Sequence, residues 1–256
     1  MPLRICTIDE IVENTPIHKT FYFEDEECRK AKPGQFVMVW IPGVDEMPVS
    51  LSFIQEKQAV TVEVKGEGTK KMHETKVGDK IGIRGPYGNG FSTHGNKLLF
   101  VAGGTGIAPL LPLIKMVEGE KTVILGARTS SLLLFEKELK DMGVKLYIST
   151  DDGSKGHQGF ATDIFENLIE EDFDTVYTCG PETMMKKVLG LCLKKNVPMQ
   201  ASLERYMKCG IGICDSCSID GYHVCKDGPV FSGDILKKMG EFGKWKRKPS
   251  GRKESI

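Results

Sequence analysis

Four of the eight cysteines in this 256-residue chain fall within 17 residues, spaced Cys209-x4-Cys214-x2-Cys217-x7-Cys225. The surrounding stretch, 207–232, is rich in glycine and cysteine and has the period of neither a helix nor a strand. Such a segment needs something other than a hydrophobic core to order it. The first three cysteines follow the C-x4-C-x2-C spacing of plant-type [2Fe–2S] sites, and the fourth lies closer than in plant ferredoxins. A zinc ribbon usually shows two C-x2-C pairs, whereas here there is one pair and two single cysteines. The spacing therefore assigns Cys209, Cys214, Cys217 and Cys225 to a [2Fe–2S] cluster. Gly210 and Gly212 let backbone N–H groups turn toward the sulfurs. A Rieske centre requires two histidines, so His223, inside the loop, is read as a polar loop residue.

The bulk properties narrow the setting. Thirty-five basic and thirty-five acidic residues cancel, which gives no reason to expect a nucleic-acid partner. No apolar run approaches the roughly 20 residues needed to span a bilayer, and no apolar segment follows Arg4 as in a secretory signal. A cytoplasmic, reducing location is expected, where cysteines serve metals, cofactors or the core more often than disulfides. Cys6, Cys28 and Cys192 are read as packing residues, the last on the stripe Met185, Val188, Leu189, Cys192.

Upstream, the chain changes character at about Gly95. Before it, short β-rich runs at Phe36–Ile41, Ser50–Ile54, Ala59–Lys65 and Lys80–Arg84 alternate with Gly/Pro turns, the pattern of a small antiparallel barrel. After it, Lys97–Ala102 is a continuous apolar run, the mark of a strand buried on both faces. It leads into GGTG and a helix at Ile107–Glu118. Strand–helix pairs follow at Thr122–Leu125 and Ser131–Met142, Lys145–Ser149 and Ala161–Ile169, and Thr175–Thr178 and Glu182–Lys195. This alternation predicts a parallel sheet with right-handed crossovers. The tail, 237–256, carries eight Lys/Arg against two Glu and is expected to be frayed and solvated. Trp245 within it is a candidate partner contact. His18, His73, His94 and His157 lie in polar surroundings without paired ligand spacing.

Two groups of motifs bear on cofactors. Gly103-Gly104-Thr105-Gly106 between a buried strand and a helix can cradle a pyrophosphate. Arg128 and the Cys179-Gly180-Pro181 loop would converge on the same crevice. No acidic residue ends the second strand, so the sequence does not decide between NAD and NADP. In the barrel, Met47-Pro48-Val49-Ser50 offers a strand-borne hydroxyl to a flavin ring, and Gly68-Thr69 offers N–H and hydroxyl groups to a pyrophosphate. Each of these two barrel signals is, alone, also an ordinary β-turn.

Together, the barrel with its P-x-S and G-T signals, GGTGIAP and the CGP loop resemble the ferredoxin–NADP reductase superfamily. Ser202–Cys217 and Val224–Phe231 resemble, within it, the electron transfer subunits of type B dihydroorotate dehydrogenase, and the likeness runs from the barrel to about Leu236. The resemblance implies an FAD-binding β-barrel at 1–95, a Rossmann-like NAD domain at 96–200 and a [2Fe–2S] module at 201–236, followed by the basic tail. It implies flavin contacts at Met47–Ser50, at the strand segment Thr61-Val62-Glu63 and at Gly68-Thr69. It implies a partner, the FMN-containing catalytic subunit that oxidises dihydroorotate in pyrimidine synthesis, in a heterotetramer with two copies of each chain. Electrons would pass from that FMN through the cluster to FAD and on to NAD+. Two positions depart from the pattern: Met47 stands in place of an Arg that neutralises flavin phosphate, and Glu63 stands where Arg is frequent. Two rival readings are a subunit of an NADH-dependent ferredoxin–NADP oxidoreductase or sulfide dehydrogenase, and a non-redox module with zinc at the cysteines.

Overall fold

The computed structural model describes residues 2–256. The first sheet is antiparallel and has seven strands: β1 (Arg4–Thr7), β2 (Glu10–Thr15), β3 (His18–Phe23), β4 (Phe36–Ile41), β5 (Asp45–Phe53), β6 (Gln58–Glu63) and β7 (Lys80–Tyr87). Their order is β1-β7-β4-β5-β6-β3-β2. The edge strands β1 and β2 are joined through the buried Ile8, so the sheet curls into a barrel around Phe21, Val37, Val39, Leu51, Val60, Val62 and Ile83. Three of these strands, β1 to β3, were not evident from sequence, because a run such as Glu10–Thr15 is mostly charged or polar. Two helices belong to this region, α1 (Glu26–Arg29) and α2 (Glu67–Glu74). Gly66–Thr69 is thus the start of a helix rather than a β-turn. Thr69 Oγ accepts the backbone N–H groups of Lys65 and Gly66, both at 2.9 Å, which satisfies that helix end.

The second sheet is parallel at its centre. It contains β8 (Lys97–Gly103), β9 (Glu120–Ala127), β10 (Lys145–Thr150), β11 (His157–Gln158), β12 (Thr175–Cys179) and β13 (Met199–Ser202). Helices α3 (Ile107–Met116), α4 (Glu136–Asp141), α5 (Ala161–Leu168) and α6 (Glu182–Lys195) connect or cover these strands. The helix expected over Ser131–Met142 is reduced to α4. Leu133, Leu134 and Phe135 turn into the core ahead of it, and Phe135 takes a left-handed φ of 60°. A left-handed φ is uncommon for an aromatic residue, and here it accompanies burial of the ring.

The remaining elements are small: β14 (Ser218–Ile219), β15 (Tyr222–His223), β16 (Val230–Ser232), α7 (Gly233–Leu236), β17 (Trp245–Arg247) and β18 (Lys253–Ser255). Strand β16 pairs antiparallel with β13, so the segment after the cysteines returns to the nucleotide sheet as its edge. The tail is packed, contrary to the frayed state expected from its charge. Phe242 and Met239 are buried, and β17 pairs with β18. A buried ion pair fixes it: Arg205 forks onto Glu182 at 2.5 and 2.9 Å, and Glu182 also accepts the N–H of Gly243 at 2.7 Å.

Candidate functional site

The nucleotide crevice forms where the strand order reverses. β8 has β9 on one side and β12 on the other, so the connections leave it in opposite directions and open a gap at their C-terminal ends. The Gly103–Gly106 and Cys179–Pro181 loops meet there. A Cβ on Gly106 would lie 2.2 Å from the Cys179 carbonyl oxygen, so only glycine permits this approach. Arg128 is exposed at the end of β9. Two acidic residues join it from the end of β10: Asp151 N–H donates to the Ala127 carbonyl at 3.1 Å, and Asp152 N–H to that of Arg128 at 3.3 Å. Sequence reasoning looked for an acid at the second strand and missed this pair at the third, where ISTDDG was the available signal. Cys179 is 2% exposed, and burial pushes its thiol well above the ordinary range. It is therefore a neutral packing group beneath the loop.

Thr105 links this crevice to the barrel. Its hydroxyl lies 2.5 Å from Glu63 Oε2 and 3.0 Å from His18 Nε2, and His18 Nδ1 lies 2.6 Å from the Thr15 hydroxyl. A carboxylate only accepts, so Thr105 donates to Glu63 and receives the Nε2 proton of His18. That leaves Nδ1 to accept from Thr15, which assigns the tautomer. Burial lowers the His18 pKa, in keeping with a neutral ring. Burial opposes ionisation of Glu63, but Thr105 and Lys65, the latter at 3.0 Å, outweigh it and hold the carboxyl below its usual range. His18 is thus a buried residue of the domain seam, set among the polar side chains of Thr15, Glu63 and Thr105. Its partners lie too far away in sequence to have been found by motif.

The flavin motif residues divide by strand alternation. Met47 and Val49 pack on the barrel core, and Val62 is part of that core. Pro48 and Ser50 take the other face, opposite Met38 and Phe36. Met38 and Phe36 belong to the same apolar cluster as Met207, Cys217, Val224 and Cys225. The P-x-S strand therefore turns its hydroxyl-bearing face to the side on which the cysteine segment packs. Thr61 is buried in a hydroxyl network with Thr20 at 2.9 Å and Ser52 at 2.8 Å. A Cβ on Gly68 would lie 3.2 Å from Asp45 and 3.4 Å from Met47, so the G-T motif and the head of the P-x-S strand are neighbours. Met47 is thus lodged among apolar and backbone groups where the resemblance expected a cation.

Cys209 lies beside Cys214 and Cys225 beside Cys217, and Cys209 also acts on Cys225. Among the described residues, no three His, Cys, Asp or Glu side chains gather as one metal ion requires. A [2Fe–2S] cluster takes four cysteine thiolates, which Cys209, Cys214, Cys217 and Cys225 would supply. Gly210 and Gly212, at φ of 74° and 75°, turn the loop so that its amides face inward. Ile211 and Ile213 N–H groups point at Cys209 Sγ, each at 3.4 Å, and Gly212 N–H at Cys225 Sγ at 3.1 Å. Burial works against ionisation of Cys209, but the N–H groups of Ile213, Ile211 and Cys214 prevail and hold its pKa at about 6. Burial pushes Cys225 up to about 12, so at neutral pH it ionises only against a cation. This donor set fits a thiolate-ligated cluster. His223 faces Asp215 at 2.5 Å and takes no place among the sulfurs.

Comparison with known proteins finds two family matches. The iron–sulfur cluster binding domain of dihydroorotate dehydrogenase B matches residues 204–237, and the oxidoreductase NAD-binding domain matches residues 100–189. A probable dihydroorotate dehydrogenase B (NAD(+)) electron transfer subunit from Methanocaldococcus jannaschii is 51% identical, covering 97% of each chain. Its namesake from Pyrococcus furiosus is 43% identical over 98% of each chain. Among solved structures, an NADH-dependent reduced ferredoxin–NADP oxidoreductase superposes with a TM-score of 0.81 at 30% identity, covering 90% of this chain and 89% of the other. A flavohemoglobin from Malassezia yamatoensis shares the fold alone, with a TM-score of 0.63 at 17% identity, covering 77% of this chain and 58% of its own.

Proposed function

The chain belongs to the family of dihydroorotate dehydrogenase B electron transfer subunits, and on that premise we propose how its residues divide the work. It is an NAD-linked oxidoreductase component that uses a [2Fe–2S] cluster, FAD and NAD, and it acts with a catalytic partner subunit. When bound, the cluster carries electrons singly, nicotinamide exchanges them as hydride, and the flavin converts between the two.

Cys209, Cys214, Cys217 and Cys225 hold the irons. The amides of Ile211, Gly212 and Ile213 favour the more negative, reduced state by donating to the sulfurs. Ser50, with Pro48 and the backbone of Gly68-Thr69, holds the flavin, and Thr61, whose hydroxyl is engaged by Thr20 and Ser52, contributes its strand backbone. Gly103–Gly106 and Gly180-Pro181 receive the nicotinamide nucleotide, with Arg128 at the crevice rim. Thr105 contributes mainly its backbone, because its hydroxyl is engaged by Glu63 and His18. Asp151 and Asp152 beside Arg128 favour a free ribose 2′-hydroxyl over a 2′-phosphate, hence NAD over NADP.

The partner is an FMN-containing subunit that oxidises dihydroorotate, and the assembly holds two copies of each chain in the cytoplasm. Its docking surface is the outer edge of the cluster loop, where Tyr206, Ile211 and Ile213 are exposed around the exposed Cys214. The single observation that carries this reading is the packing of the cysteine segment on the barrel face that bears Pro48 and Ser50. The fold also supports a subunit of a ferredoxin–NADP oxidoreductase, but the nearly full-length relatives at 51% and 43% identity favour the first reading.

Anaerobic co-expression with the catalytic subunit tests it. The expected product is a complex with equal amounts of the two chains that contains FAD, FMN, iron and acid-labile sulfide and reduces NAD+ with dihydroorotate. A complex that reduces NAD+ only with ferredoxin would overturn it.

A further inference from the structure

One guanidinium bridges the barrel and the cluster loop. Arg84, on β7, donates from Nε and Nη2 to the two carboxylate oxygens of Glu46, both at 2.6 Å. Its remaining nitrogen, Nη1, reaches the carbonyl oxygen of Cys209 at 3.3 Å and the Tyr87 hydroxyl at 3.5 Å. Cys209 is the first cluster cysteine, and Glu46 immediately precedes the Met47–Ser50 flavin strand. Both charged side chains are only about a quarter exposed, 22% for Arg84 and 25% for Glu46, so solvent screens them incompletely. The loop is seated on the same surface: a Cβ on Gly210 would lie 3.1 Å from Met38 and 3.4 Å from the Tyr87 ring.

We propose that Arg84 is a positioning residue that sets the reduction potential of the cluster while clamping the cluster loop to the flavin strand, an inference that rests on the cluster assignment above. The pair is an oriented dipole. Its cationic end contacts the Cys209 carbonyl, and its anionic end is held on the barrel strand that leads into Met47. Reduction adds one negative charge at the cluster, and a cation bonded to the backbone of one of its cysteines favours that state. Glu46 partly cancels the cation and fixes its direction through a bidentate fork that a lysine would not reproduce.

The test is a dye-mediated anaerobic redox titration of the assembled complex, with the reduced cluster followed by electron paramagnetic resonance. Arg84→Gln removes the cation and leaves Glu46 unopposed, so the midpoint potential falls. Glu46→Gln leaves Arg84 uncancelled, so the midpoint rises. Arg84→Lys keeps the charge and brings the midpoint back toward that of the native protein. A merely structural clamp would move both Gln variants in the same direction or neither, and either result overturns the proposal. Should Arg84→Gln lose its iron, Glu46→Gln decides alone, since a midpoint that stays or falls contradicts the proposal. If the native complex itself shows no cluster signal, the cluster assignment has failed rather than the role of Arg84.

Discussion

The nucleotide sheet and the cluster segment share one ladder, β13 against β16, yet they are ordered by different forces. In the sheet, Leu98 to Ala102 are each at most 1% exposed, and the helices on either side bury a continuous apolar surface. Its order comes from the burial of apolar area, worth roughly 25 cal/mol per Å2. In the cluster segment the strands β14 and β15 are two residues long. Gly210, Gly212, Asp215, Asp220 and Gly221 all have positive φ. Such a backbone is held by its ends, by a few buried side chains such as Ile219 and Val224, and by what its four sulfurs bind. Order from a core is carried by every neighbour, whereas order from ligands is conditional on the metal.

The largest effect should break the two regions apart. Cys217→Ala removes a buried ligand and should abolish iron binding, which iron and sulfide analysis would detect. Limited proteolysis should then cut within 207–229 while the sheet remains resistant. Arg205→Ala strikes the boundary, because it leaves the largely buried Glu182 carboxylate without its countercharge, with only the Gly243 N–H still bonded to it. It should cost about 3–5 kcal/mol in chemical denaturation, and it should loosen the tail that Gly243 and Trp245 anchor. Leu99→Ala tests the sheet itself. It should cost about 2–5 kcal/mol with full retention of iron, the converse of the cysteine variant.

A smaller effect concerns pH. Burial raises the Asp25 carboxyl, but its bonds from Arg4 at 2.6 and 2.9 Å and from the Cys28 amide outweigh that, and the net shift is downward. The unfolded chain therefore binds the proton more tightly. The stability from this group is complete above the unfolded value of about 4 and is lost as pH falls through the lower folded value. Asp25→Asn should flatten the acid limb of a urea-midpoint profile and leave the metal content unchanged. A smaller change still is expected from deleting 249–256, whose contacts are exposed: about 0.5 kcal/mol or less by thermal unfolding.

The same contrast explains what could be read from sequence. Helix α6 runs from Glu182 to Lys195 as its stripe of Met185, Val188, Leu189 and Cys192 indicated, and β8 follows its apolar run, because burial leaves a periodic record. The cysteine spacing was visible because ligands are rare residues. The tail misled because Met239 and Phe242 are only two apolar residues among many lysines, although both are buried. Strands β1 to β3 were hidden by polar residues on their outer faces. The Glu63–Thr105–His18 set and the Arg84–Cys209 contact join positions 42 to 125 residues apart, and no local period records such a pairing.

The most direct measurement is metal and sulfide analysis of the anaerobically purified chain, read together with its visible spectrum. Two irons and two acid-labile sulfides per chain, with flavin absorbance alongside, are the predicted result. A colourless protein with one zinc per chain and no labile sulfide would contradict the account.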